Sequence, residues 1–207
     1  MLQLWKSVVI PRLDYCSQLW NPHHRYLINQ LEELQKSFIR NIHGLRHMEY
    51  CTALKQLGLY SLQRRRERYQ IIYIWSIAEN LVPNIKSTDG NLIKIQSSVQ
   101  SRRGRTLQTK PLKNSHFSTL RFDSLPFHGS RLFNGLPKCI RNTSGCAKVT
   151  FKHILDTFLM NTPDQPLIPH HTSIGQVSSN SLVSYYTLAD SNVAHYRRVE
   201  SALVGDH

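Results

Sequence analysis

The chain has 207 residues and carries 26 Lys and Arg against 13 Asp and Glu, a formal charge of +13 with a pI near 9.9. That length holds one sizeable domain or two small ones, and the charge favours phosphate backbones or anionic surfaces as partners. No apolar run reaches the ~18 residues of a membrane span, Lys6 interrupts the short apolar run 2–10, and four scattered cysteines make no disulfide framework. An intracellular protein, nuclear or cytoplasmic, without a membrane partner is the expectation.

Leu4, Trp5, Val8, Val9, Leu13, Cys16, Leu19 and Trp20 keep helical spacing. Pro11 is expected to kink this run and Asn21-Pro22 to end it. Leu27, Leu31, Leu34, Phe38, Ile42 and Leu45 then recur three or four apart, predicting a helix over 27–45 with Gly44 near its end. Glu32, Glu33, Lys36 and Arg40 fall on its polar side. A short helix is expected over 49–57, stopped by Gly58, and Ser61 has the chemistry to cap a long helix reaching about residue 81.

On that long helix Leu62, Tyr69, Tyr73 and Ser76 share one side, flanked by Arg65, Arg66 and Ile72, while Arg64, Arg68, Ile71 and Trp75 form a stripe almost opposite. Three readings stay open for this stripe. It is a solvated charge run with Glu67 as a partner, a phosphate-facing strip ending in an aromatic that stacks on a base, or a surface on which Ile71 and Trp75 pack under a domain outside this chain.

Ser, Thr, Asn, Gly and Lys dominate 84–122, where Arg102, Arg103, Arg105 and Lys110 cluster around Gly104. This segment reads as a basic linker or as a loop touching nucleic acid, with a short strand at 106–109. Phe117 through Leu136 restore a hydrophobic supply, and Phe151, Ile154, Leu155, Phe158 and Leu159 make an amphipathic helix before Pro163. From Asn161 onward Pro and Ser predict a tail, with a weak helix over 188–203.

Catalytic patterns are missing. The sequence has no Gly-rich phosphate loop, no HExxH, no GxSxG and no dinucleotide fingerprint, and Asp14, Asp89, Asp123 and Asp156 stand apart from one another. His43, His47 and Cys51 recur at four-residue steps, but Gly44 breaks the helix that would align them as metal ligands. No catalytic residue, metal or cofactor is expected.

Five phrases resemble the C-terminal part of reverse transcriptases from non-LTR (LINE-type, jockey-like) retrotransposons. They are SVVIPRLDYCSQLWNP at 7–22, LEELQKSFIRNIHGLRHMEYCTALKQLGLYSLQRRRERY at 31–69, RRGRTLQTKPL at 102–112, RLFNGLPKCIRN at 131–142 and FKHILDTFL at 151–159. Their order and spacing cover about three quarters of the chain. Phe133 stands where the family usually has Trp in a W-N-x-L-P phrase, and 161–207 resemble nothing in the family. The resemblance implies a helical thumb and C-terminal extension that grip template–primer backbone, with the catalytic Tyr-Ala-Asp-Asp-type motif in a palm not contained here. It carries over no catalytic residue.

The expectation is therefore a mainly α protein: a thumb-like helical bundle over 1–82, a linker over 83–101, a basic C-terminal extension over 102–160 with a short strand, and a low-order tail over 161–207. Such a non-enzymatic RNA-directed DNA polymerase fragment would bind RNA, DNA or an RNA–DNA hybrid without sequence preference, and would pair with a palm domain encoded elsewhere. The expected contacts are Arg64, Arg65, Arg66, Arg68, Trp75, Arg102, Arg103, Arg105 and Lys110. The alternatives are an inactive transposon relic with Ile71 and Trp75 left uncovered, or a helical protein-interaction module.

Overall fold

The computed structural model describes residues 1–22, 24–87, 90–102, 104–109, 124–166 and 180–186, and among these the chain is mainly α-helical. The weak helix expected over 188–203 lies outside the described residues. The first helical run is divided into α1 (Leu2–Leu4), a wide π turn (Trp5–Val9) and α2 (Ile10–Asp14). Pro11 occupies the first turn of α2, where a missing N–H costs least, and the π turn just upstream takes up the offset. The run stops well before Trp20, and Cys16 adopts a left-handed backbone (φ 52°).

Helix α3 (Arg25–Arg40) is the surest helix of the sequence, yet it is turned from its expected orientation. Glu32, Gln35, Lys36 and Ile39 are buried, whereas Leu34 is exposed. Placing Glu32 and Lys36 on the solvent side is thus corrected: the carboxylate finds donors inside that water would otherwise have supplied. Trp5 stacks on Phe38 with ring centroids 4.2 Å apart, which seats the N-terminal run against α3. Helix α4 (Tyr50–Leu57) ends as its sequence suggests. Gly58 takes φ +60°, and the Gly58 and Leu59 amides return to the Lys55 and Leu54 carbonyls. Ile39, Leu45, Tyr50, Ala53 and Leu54 form a small core between α3 and α4.

Helix α5 (Leu62–Ala78) is the axis of the molecule. Ser61 caps it as expected, its Oγ accepting from the Arg64 amide at 3.1 Å. The C-terminal half of α5 is central to the larger core, where Ile71, Ile74 and Trp75 are fully buried. That core is completed by α6 (Leu125–Gly135), α7 (Lys138–Arg141) and α8 (Lys148–Met160), through Leu132, Phe133, Ile140, Phe151, Leu155 and Leu159. A Cβ at Gly129 would press on Ile74, so a glycine lets α6 close on α5.

The segment read as a linker is partly strand. β1 (Lys86–Ser87) pairs with β2 (Gly90–Asn91), and β3 (Ile93–Ser97) pairs antiparallel with β4 (Thr106–Thr109), with Ile95 opposite Leu107 and a bulge before Ser97. The Asn134 side chain on α6 both donates to the Leu107 carbonyl and accepts from its amide, at 2.8 Å each, so it satisfies the open edge of β4. Ile93 and Leu107 enter the α5 core.

Two expected boundaries fail here. A cut at 82/83 would pass through the larger core. Thr162, Pro166, Asn180 and Leu182, all within the expected tail, are buried against the helices.

Candidate nucleic-acid interface

The N-terminal end of α5 gathers charge from four parts of the chain. Glu32 of α3 accepts from the Leu62 amide at 3.2 and 3.0 Å and from the Tyr50 hydroxyl at 2.7 Å. Gln35 donates to the Tyr50 hydroxyl at 3.1 Å and to the Tyr60 carbonyl at 3.0 Å. Asp164 accepts from the Ser61 amide at 2.8 Å and the Ser61 hydroxyl at 2.7 Å, and Asn180 Nδ2 donates to Asp164 at 2.8 Å. One turn further on, Glu67 accepts from the Leu182 amide at 3.0 Å. Helix N-termini favour negative charge, which explains why carboxylates collect there. Burial pushes the Glu32 carboxyl up to about 7 against the pull of Tyr50 and Leu62. It pushes Glu67 up to about 7 as well, with Arg64 and the Leu182 amide opposing.

The arginines expected to face phosphate are engaged by this interior. Arg64 is 1% exposed, and its Nη2 donates to the Pro163 and Asn180 carbonyls at 2.8 and 3.3 Å. Arg65 is clamped on Asp14 at 2.7–3.0 Å and lies over the Tyr69 ring. Arg66 is buried, with its guanidinium 4.8 Å from the Trp20 ring centre. Burial lowers its pKa. Arg68 makes a two-point pair with Asp156, and that hydrogen bond raises its pKa.

Trp75 is fully buried, stacked on Phe151 at 4.3 Å with 4° between planes, and its Nε1 donates to the Thr143 carbonyl. It therefore cannot stack on a base, and neither it nor Ile71 is an uncovered patch. The expectation of a phosphate-facing strip on α5 is corrected: its guanidinium groups are taken up by Asp14, Asp156 and the Pro163 and Asn180 carbonyls. Arg105 is also interior. It pairs with Glu79, donates to the Ala78 carbonyl, and so ties β4 to the end of α5. Burial tends to raise the Glu79 carboxyl, but the Gly145 amide and Arg105 outweigh it and hold it below the ordinary range. Of the nine expected contacts only Arg102 is exposed among the described residues; Arg103 and Lys110 lie outside them.

The outward face has a different composition. Every Asp and Glu among the described residues accepts a hydrogen bond from the chain itself, Glu33 from Lys36 and Glu49 from Thr52 completing the set. Lys6, Arg12, Arg25, Arg40, Arg46, Lys55, Lys86, Lys94, Arg102, Arg131, Lys138 and Lys148 are exposed. An open groove at the turn after α3 is lined by Ser37, Arg40, Asn41, Ile42, His43, Gly44, Arg46 and His47, with Gly44 at φ +83° allowing the tight turn. Sequence reasoning assigned Arg40 to a helix surface and weighed His43 and His47 as metal ligands. Four basic side chains within eight residues of a helix end, around a glycine, was the signal available. Among the described residues no group of three His, Cys, Asp or Glu is placed to hold a metal ion, and no helix is long and apolar enough to cross a membrane.

Comparison with protein-family models, with curated proteins and with solved structures finds no match for this chain.

Proposed function

We propose that this chain is a helical module that binds the backbone of RNA, DNA or an RNA–DNA hybrid without reading sequence, acting as the thumb-like and C-terminal part of a non-LTR retrotransposon reverse transcriptase. The observation that carries this reading is the division of charge. The described carboxylates all accept hydrogen bonds from the chain, and six Lys and Arg are buried or paired with acids, but twelve other described lysines and arginines lie exposed, so the exterior is predominantly cationic. The groove after α3 is the best candidate grip, since Arg40, His43, Arg46 and His47 converge there. Contacts of this kind hold phosphates and leave base edges unread.

The test is fluorescence anisotropy with a labelled RNA–DNA hybrid over a range of salt, using the full chain and an Arg40→Gln, Arg46→Gln double variant. Wild-type binding with a steep salt slope, flattened by about 2 in the variant, supports the reading. A folded wild-type chain that does not bind at low salt overturns it.

A protein-interaction reading has its own observation in Met1, Leu4 and Val8, exposed at 77%, 66% and 45% and spaced along one side of the first helical run. A partner helix seated there would hold in high salt, where phosphate contacts weaken.

A further inference from the structure

Residues 180–186 return to α5 across more than a hundred positions of sequence and fit it closely. Asn180 is held on three sides: its carbonyl accepts from Arg64 at 3.3 Å, its Nδ2 donates to Asp164 at 2.8 Å and Ser61 at 3.3 Å, and its Oδ1 accepts from the Gln165 amide at 2.8 Å. A helical turn follows over 182–186, with Glu67 of α5 capping it through the Leu182 amide. The Leu182 side chain is fully buried in the core, and Tyr186 packs on Phe158 and directly over Gly135.

Beneath this cover lies an uncomfortable group. Arg64 is 1% exposed, and its Nε and Nη1 have no hydrogen-bond partner among the described residues. A guanidinium buried with unused donors opposes the contact that buries it. The segment is thus held by a few directional bonds, the buried Leu182 and the partly buried Val183 and Tyr186, and resisted by a charge that would gain water if the segment lifted. Such opposition makes a contact that opens separately from the rest of the fold.

We propose that 180–186 is a detachable latch, seated in an α5–α6–α8 slot shaped for one helical turn, held by the Asn180 hydrogen bonds and a Leu182 anchor, and that its release brings Arg64 to the surface. The nucleic-acid reading above is needed only to say what the freed guanidinium would meet.

The test uses the full chain with Leu182→Asp, which drives the anchor out, and with Gly135→Ala, whose added methyl overlaps the Tyr186 ring. Hydrogen exchange should show protection lost over 180–186 and kept over Ile71–Ala78. Modification of Arg64 by phenylglyoxal, read by mass spectrometry, should rise several-fold in both variants. On an RNA–DNA hybrid the salt slope should steepen by about 1 in Leu182→Asp, and return to the wild-type value when Arg64→Gln is added. Arg64 left unmodified in both variants, or protection lost along all of α5 together, would overturn the latch and make the segment an ordinary part of the core. Modifiable Arg64 with unchanged hybrid binding would support the latch and count against the nucleic-acid reading.

Discussion

Glu32 takes the Leu62 backbone amide on both carboxylate oxygens, so α3 caps α5 from outside its own chain segment. The same carboxylate receives the Tyr50 hydroxyl, which joins α4 to the arrangement. Glu32→Ala removes the acceptor and strands both donors in the interior. The expected loss is about 2–4 kcal/mol in urea unfolding, while Glu32→Gln, which keeps one acceptor, should lose less than half of that.

Acid should stabilise this protein over a defined range. The unfolded chain ionises Glu32 and Glu67 near pH 4.5, whereas the folded chain holds both near 7. Between those values the folded state binds more protons, so stability is fullest at the acid end and falls as pH rises toward 7, then levels. Each group contributes a few kcal/mol, on the order of 3 at most. Unfolding midpoints at about pH 5 and about pH 8 (suggested conditions, near the acid end of the window and beyond its basic end) should differ in the wild type. In a Glu32→Gln, Glu67→Gln variant the difference should shrink.

The Trp75–Phe151 stack is a packing contact and should behave as one. Phe151→Ala is expected to cost about 3–5 kcal/mol, and a double-mutant cycle with Trp75→Leu should return a coupling of about 0.5–1.5 kcal/mol. Trp75→Phe, which keeps a ring but loses the bond to the Thr143 carbonyl, should lower stability and leave the salt slope for nucleic acid unchanged.

Arg105 joins two parts of the fold through one guanidinium, bonded to Glu79 and to the Ala78 carbonyl. Arg105→Ala leaves Glu79 with only the Gly145 and Ser144 donors and should cost about 3–5 kcal/mol. Arg105→Lys should rescue little, since a single ammonium cannot reach both acceptors in that geometry. Thermal unfolding of the three proteins checks this.

The sequence made helices legible and orientations illegible. Gly58 and Ser61 mark ends that the backbone enforces locally, so they could be read without a partner. The inward turn of Glu32 could not, because its reason is an amide 30 residues away. The arginines show the same limit. Residue type shows a cation, but whether it meets water depends on an acid elsewhere: Asp14 is 51 positions from Arg65, Asp156 is 88 from Arg68, and Glu79 is 26 from Arg105. Changing Arg64, Arg65, Arg66 and Arg68 together would therefore probe folding before binding. β4 was legible from Thr106 and Thr109, whereas β3 read as polar linker because Lys94, Gln96 and Ser97 surround its isoleucines and only Ile93 enters the core while Ile95 stays exposed.

Helix α5 also sets a timing problem for synthesis. Trp75 leaves the ribosome long before Phe151, its stacking partner, and at about 5–20 residues per second the interval is roughly 4–15 s. Arg64 and Glu67 wait longer still, for Asn180 and Leu182. During that interval the nascent chain displays a half-apolar helix with no core to enter, the kind of segment that chaperones engage. Loss of the codons from 180 onward would leave Arg64 and Glu67 without those partners permanently.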